Sequence, residues 1–420
     1  MKTVGIIAEF NPFHNGHKYL IEESKKITGA DYCVVVMSGD FVQRGAPAIT
    51  DKFTRARSAL NSGADLVLEL PSYYSLGSAE YFAAGAVSLL NKLNVVDFLA
   101  FGSEFEDLDL LLEIADILNE ETDLFKRDIK ENTKNGKRFA SARENAVISE
   151  FVRKNPKGEK SSKEAEIKKA LTSPNSILAI EYLRALGRTH SKISPVMIIR
   201  IGEGYHSNNI TSYSSATAIR NSVIQSTGGI TELPDSVKCT MPEDSFNSLN
   251  EKLRIGEYVR EDILNNLLYY KLLQNKDNYC AFLDVTESLS NKITKNLDKF
   301  ESFDSFCDTL KSKDLSYTRI SRCLMHILLD IKAENMQRYK EDDFTSFIRI
   351  LGQKKSSFPL LAMIGDNSDI PVLNRLKDAE KTLDPLSLQL FKENLDASRI
   401  YNLLCNAKKV SEFSLNPLII

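Results

Sequence analysis

The chain has 420 residues, 42% apolar and 26% charged, with no tryptophan and a formal net charge of −3. That is a globular composition sized for about two cores, and it excludes a chain-wide basic field, so a polyanionic partner must be met by local patches. The scattered cysteines (33, 239, 280, 307, 323, 405) form no CxxC pair, the start "MKTVGIIAEFNPF" lacks a signal-type apolar stretch, and no run reaches the roughly 18 apolar residues of a membrane span, which points to a cytoplasmic protein with free thiols and no membrane partner.

In chain order, "TVGIIAEF" reads as a buried strand and "GHKYLIEESKKITG" as a helix stopped by Gly29. "DYCVVVMSG" is a second strand. "TDKFTRARSALNSG" is a helix capped by Thr50 or Asp51 and ended by Gly63. "ADLVLELP" is a third strand, "SAEYFAAGAVSLLNKL" a helix and "VDFLAFGS" a fourth strand. Strand–helix alternation with continuous apolar strands predicts a parallel sheet covered on both faces. Residues 107–150 read as polar helix, and "VRKNPKGEKSSKEAEIKK" from Val152 has the composition of a mobile surface segment. Ser173 and Pro174 then open a helix, "KISPVMIIRIG" is a fifth strand, a loop carries Tyr205 and His206, and "SYSSATAIRNSVIQ" is a capped helix. From about residue 240, helical spacing dominates, "DDFTSFIRILGQKK" included, and strand signals almost vanish.

The stretch "EFNPFHNGHKYL", residues 9–20, sets two of the five histidines around Asn-Gly between the first strand and its helix. Ligands of open α/β sheets bind outside the carboxyl ends of the strands. There a helix start offers free N–H groups and partial positive charge, and Gly16 permits close backbone approach. His14 and His17 can donate ring N–H bonds to phosphate oxygens as charge grows on a pentacovalent α-phosphate. H-x-x-H alone is equally a surface feature or half of a metal site, but no third ligand has suitable spacing. "SYSSATAIR" adds hydroxyls from Ser214, Ser215 and Thr217, with Arg220 one turn into the helix, in reach of β- or γ-phosphate.

Together, "HNGH" and "SSATAIR" resemble the two phosphate motifs of the HIGH-type nucleotidyltransferases, the second with one extra residue, Ala216, before Thr217. The strings "VGIIAEFNPFHNGHKYL", "VMSGDFVQRGAPAI", "ADLVLELP", "FGSE" and "SPNSILAIEYLRAL" narrow the resemblance to the bacterial tRNA(Met) cytidine acetate ligases. The blocks run over roughly residues 4–220, and "YTRISRCLMHILL" and "FIRILG" extend them loosely. Where relatives often carry His after "MSG", this chain has Asp40.

The resemblance implies an α/β fold: a Rossmann-like parallel sheet of the HIGH nucleotidyltransferase type, residues 1–230, with a helical, partly mobile insertion at 107–172. An all-helical domain at 231–420, a tRNA binder, would follow. It implies an ATP-dependent ligase that makes acetyl-adenylate and pyrophosphate, then acetylates N4 of the wobble cytidine of elongator tRNA(Met), without acetyl-CoA. Catalysis would fall to His14, His17, Ser214, Thr217 and Arg220. ATP would contact Ile7, Ala8, Glu9, Phe10, Asn11, Pro12, Phe13, His14, Asn15, Gly16, His17, Lys18, Tyr19 and Leu20, with Gly102, Asn175, Arg200 and Ile201. Mg²⁺ accompanies ATP, but no dedicated protein ligand for a metal is evident.

Asp40, Gln43 and Arg44 could face the pocket, and Arg44 and Lys52 are candidate holders of acetate. Lys52, Arg55 and Arg57 read equally well as a solvated helix face. For tRNA, the cation clusters are Lys134, Lys137, Arg138 and Arg143; Lys154, Lys157 and Lys160; Arg319 and Arg322; Lys354 and Lys355. Arg319, Arg322 and His326 share one helical face, with Tyr317 as a stacking candidate. The competing readings are a metabolite nucleotidyltransferase of the same superfamily and a non-enzymatic nucleotide or RNA adaptor. No obligate protein partner is evident.

Overall fold

A computed structural model describes the chain except for residues 156–159, 202–212, 227–231, 345, 374, 406 and 408–410. Tyr205, His206, Ser212 and Lys157 therefore lie outside the described residues. The strands are β1 (Thr3–Ala8), β2 (Tyr32–Ser38), β3 (Phe41–Val42), β4 (Ala46–Pro47), β5 (Leu66–Leu70), β6 (Phe98–Ser103), β7 (Ser194–Ile199), β8 (Ile348–Gln353), β9 (Val372–Leu373) and β10 (Leu418–Ile419). The main sheet runs β10-β8-β5-β2-β1-β6-β7, with β9 also on β8, while β3 and β4 form a separate hairpin. β5, β2, β1, β6 and β7 are mutually parallel, as their unbroken apolar sequences predict. The order reverses at β1: the chain builds outward through β2 and β5, then returns to add β6 on the other side of β1. Such a switch point opens a crevice at the carboxyl edge.

Alternate residues of the strands feed two cores. Val4, Ile6, Val35 and Val67 pack with Ile21 of α1 (Asn15–Thr28) and with Ala56, Ala59 and Leu60 of α2 (Lys52–Asn61). Ile7, Val34, Val36 and Leu68 face the other way, onto helix Ala79–Lys92, in a cluster that extends through most of the C-terminal region. Gly29, at φ 62°, ends α1, and Asp51 rather than Thr50 caps α2 by accepting the Thr54 N–H at 2.9 Å.

The C-terminal region is mostly helical rather than all-helical: it adds β8, β9 and β10 to the main sheet, and the expected helix through "FIRILG" is β8, antiparallel to β5. Its isoleucines alternate, but the position between them is Arg349, only 2% exposed, and a buried charge in a strand mimics the polar side of an amphipathic helix. Arg349 pairs with Glu69 of β5 at 2.7 Å and with Glu412 near the C-terminus. The region after residue 230 thus shares a sheet and a core with the one before it. Helix Ala216–Ser226 crosses the same line by packing Ile219 and Val223 on Leu233, Val237 and Phe246.

Residues 107–172 form helices Leu108–Glu120, Asp123–Lys134, Phe139–Lys154 and Lys160–Thr172. Much of the "VRKNPKGEKSSKEAEIKK" stretch is therefore helix, supported by spacings such as Glu164–Lys168 at 2.7 Å. His326 does not share a surface face with Arg319 and Arg322: it is fully buried, its ring nitrogens 2.8 and 3.0 Å from the Leu283 and Leu76 carbonyls. Hydrophobic periodicity marks that face of helix Tyr317–Leu328 as inward, and a histidine between Met325 and Ile327 belongs to it.

Candidate active site at the carboxyl edge of the sheet

The crevice at the switch point is lined by Ile7, Ala8, Glu9, His14, His17 and Leu20 from β1 to α1, by Gln43 and Arg44 of the β3–β4 turn, by Gly102 near the end of β6 and by Arg200 just past β7. Asn175, Leu178 and Tyr182 of helix Pro174–Arg188, Phe82, Phe101, and Ser215, Ala216, Thr217 and Arg220 close it. One wall is aromatic and apolar; the other carries imidazoles and guanidinium groups.

His14 is the N-cap of α1 and His17 its third residue, and the two close a reciprocal capping box. His14 Nδ1 accepts the Gly16 N–H at 3.1 Å, and His17 Nδ1 accepts the His14 N–H at 3.3 Å. A ring that accepts at Nδ1 carries its proton at Nε2, so both imidazoles keep an Nε2–H for a ligand. The rings stack 3.7 Å apart, and Phe10 meets His17 edge-on at 4.9 Å. Burial, with Arg200 and Arg220 adding to it, lowers the His14 pKa to about 3; burial, His14 and Arg200 lower that of His17 well below 6.5. The rings are neutral donors, and the positive charge of the site resides on arginine.

One expectation changes here. The first N–H groups of α1 are not free: Asn15 donates to the Thr240 carbonyl at 2.9 Å, Gly16 to the His14 ring, and His17 and Lys18 to the His14 carbonyl. The missing side chain of Gly16 admits the ring: a Cβ there would stand 2.9 Å from His14 Cε1. Of the expected ATP contacts, Phe10, Asn11, Pro12, Phe13, Asn15, Gly16, Lys18, Tyr19 and Ile201 do not line the crevice. Phe10 and Phe13 are buried beneath it, and Asn11 braces it, accepting the Ile49 N–H at its side chain and an Arg220 N–H at its carbonyl.

Thr217 accepts an N–H of Arg220 at 3.1 Å. Ser215 caps helix Ala216–Ser226 by accepting the Ala218 N–H and lines the crevice, whereas Ser214 is buried outside the lining. Gly102 leaves room for Arg200, whose Cγ would lie 3.3 Å from an added Cβ. The Asn175 amide donates to Glu104 at 2.7 Å.

Asp40 and Lys52 are absent from the lining. Lys52 is 1% exposed and surrounded by Glu412 at 2.8 Å, Glu69 at 2.9 Å and Asp40 at 3.4 Å, which rules it out as a free cation for acetate. Arg55 is equally buried and donates to the carbonyls of Thr50, Glu9 and Ser38, tying the ends of β1 and β2 together. Of that run only Arg57 is solvated.

The model of the HIGH Nucleotidyl Transferase family matches residues 1–415. A tRNA(Met) cytidine acetate ligase of Acetivibrio thermocellus is 37% identical, and one of Clostridium kluyveri 40% identical, each over 100% of this chain and 100% and 99% of the relative. The crystal structure of Thermotoga maritima TmcAL bound with alpha-thio ATP superposes with a TM-score of 0.89 at 30% identity, covering 100% of this chain and 99% of that one. The chain belongs to the HIGH nucleotidyltransferase family, in its tRNA(Met) cytidine acetate ligase branch. In this HIGH nucleotidyltransferase the residues that sequence reasoning missed are Phe82, Phe101, Leu178 and Tyr182. Only the last two left a signal, lying one and two turns beyond Asn175 on the same helix face.

Among the described residues no group of three or more His, Cys, Asp or Glu is placed to hold a metal, and no helix is long and apolar enough to cross a membrane.

Proposed function

We propose that the crevice binds ATP and that the chain is a tRNA(Met) cytidine acetate ligase. It activates acetate as acetyl-adenylate and passes the acetyl group to N4 of the wobble cytidine. The observation that carries this reading is the pair of stacked, neutral imidazoles whose Nδ1 atoms are occupied by the helix cap and whose Nε2–H groups remain for phosphate. Neutral donors aimed at a phosphorus that gains charge in the transition state lower the barrier without trapping the ground state. Arg200 and Arg220, with Arg44 across the mouth, supply the charge for the departing pyrophosphate, and Thr217 orients Arg220. The aromatic wall of Phe82, Phe101 and Tyr182 takes the flat, uncharged part of a substrate.

Mg²⁺ fits on the ATP side only: among the described lining residues one carboxylate beside three guanidiniums is no dedicated cation site, so the ion would be held by triphosphate oxygens and water. It would neutralise phosphate charge there.

The tRNA surface belongs to the C-terminal region and its neighbours. Arg322 is the best placed candidate, its guanidinium 3.5 Å from the Gln43 carbonyl at the crevice mouth, with Arg319 one turn away. Arg138 is solvent-exposed, while Arg143 is drawn to Glu181 at 3.5 Å and Lys354 to Asp65 at 4.0 Å. Phosphate contact by those last two requires breaking an existing pair. With ATP and tRNA as substrates, the protein works in the cytoplasm.

Incubation with ATP, labelled pyrophosphate and acetate tests the reading. Label is expected to enter ATP only when acetate is present, and without tRNA. Exchange that ignores acetate and needs another acceptor would favour a metabolite nucleotidyltransferase.

A further inference from the structure

Among the described residues that line the crevice, Glu9 is the one carboxylate. It shares the crevice with Arg44, Arg200 and Arg220, and in the ATP site proposed above a negative charge weakens binding by like-charge repulsion. A group with that cost needs a task the phosphates do not set. Among the described residues Glu9 makes no ion pair: Arg220 gives its bonds to the Asn11 carbonyl and the Thr217 hydroxyl. The carboxylate is held at Oε1, which accepts the Gln43 N–H at 2.7 Å, and the backbone beneath it is fixed by the Glu9 carbonyl accepting an Arg55 N–H at 2.7 Å. Oε2 makes no hydrogen bond among the described residues. Burial pushes the Tyr182 hydroxyl up, and the nearby Glu9 charge adds to the shift. Glu9 is therefore within electrostatic reach of both a phosphate-binding guanidinium, Arg220, and the ring of Tyr182.

We propose that Glu9 receives the proton of the attacking amine in the acetyl-transfer step; this rests on the acetate ligase reading above. The exocyclic amine of cytosine is a weak nucleophile because its lone pair is delocalised into the ring, and it turns cationic on attack. The N4 lone pair forms the C–N bond to the acyl carbon, the C–O bond to AMP breaks, and its electron pair leaves on the AMP phosphate. The N4 proton passes to Glu9 Oε2 and from there to water. Before the step, the same oxygen accepts a hydrogen bond from the amine and aims its lone pair. A divalent cation is the competing occupant of this carboxylate, disfavoured by the three guanidiniums that share the crevice.

Glu9→Gln keeps the shape and an oxygen for the Gln43 N–H but cannot take a proton. Two rates are read on the full chain, with circular dichroism as the check on folding: acetate-dependent pyrophosphate exchange without tRNA, and single-turnover acetyl transfer to tRNA(Met) at saturating ATP and acetate. Transfer is expected to fall by about 100-fold more than exchange, with loss of the acid limb of its pH profile. Glu9→Asp slows transfer and keeps that limb. Equal losses in both rates, exchange restored by excess Mg²⁺, or an intact acid limb in Glu9→Gln would overturn the proposal. Failure of the ligase reading looks different: the unaltered chain would show no acetate-dependent exchange at all.

Discussion

His17→Ala is expected to lower acetate-dependent pyrophosphate exchange by about 100- to 1,000-fold, the usual loss for one donor to a developing charge. Two effects converge. The substitution removes the Nε2–H of His17 outright. It also removes the Nδ1 acceptor for the His14 N–H and the ring that stacks on His14 at 3.7 Å, which frees the second imidazole to rotate. The structural cost is smaller, about 1 kcal/mol for half of a capping box, because the other half, Gly16 N–H to His14, remains. Urea unfolding followed by circular dichroism separates the two. Near-normal exchange in a folded variant would remove the rings from the chemistry.

Lys52→Met is expected to destabilise the chain by about 3–5 kcal/mol, a large part of the roughly 5–15 kcal/mol that holds a domain folded. Among the described residues Lys52 and Arg349 are the cations ion-paired with the buried carboxylates of Asp40, Glu69 and Glu412. With Lys52 gone, Arg349 faces three acids in a medium that solvates none of them. Burial pushes the Asp40 carboxyl up, so it takes a proton most readily and absorbs part of the loss.

The same cluster predicts an acid limb. Burial pushes Glu412 up, but Lys52 and Arg349 outweigh it and hold the pKa at about 2 against an ordinary 4.5. A carboxylate held down in the folded state contributes stability that is present above 4.5 and lost as pH falls toward 2. In Lys52→Met that part of the stability–pH curve should flatten. Urea midpoints between pH 7 and 3 test both statements, and a variant as stable as the parent at pH 7 would show the cluster to be dispensable.

The parallel sheet was legible because its strands are buried on both faces: "DYCVVVMSG" has no alternation to confuse with a helix, and Gly29 stops α1 where a left-handed residue is needed. β8 was not legible, because Arg349 is a core residue only by virtue of Glu69 and Glu412, both remote in sequence. Lys52 and Arg55 hid for the same reason. Their sequence neighbours suggest a solvated helix face, and what buries them is the C-terminal tail for one and a set of backbone carbonyls for the other.

At the site, "HNGH" marked the place, but the division of labour within it is geometric. One nitrogen of each ring caps α1 and the other is left for substrate, and Gly16 is small to admit the His14 ring. The stretch from Phe10 to Phe13 lies directly between lining residues in sequence and yet underneath them in space, because the apolar rings pack downward and carry the polar ends outward.

The most direct test of the whole account is a crystal structure with a slowly hydrolysed ATP analogue and acetate. The α-phosphate is expected within hydrogen-bond distance of His14 Nε2 or His17 Nε2, with the terminal phosphates on Arg200 and Arg220 and the Nδ1 contacts of both rings unchanged. A nucleotide lodged elsewhere, such as the cavity beside Leu395, Asn402 and Phe413, with both rings untouched, would contradict it.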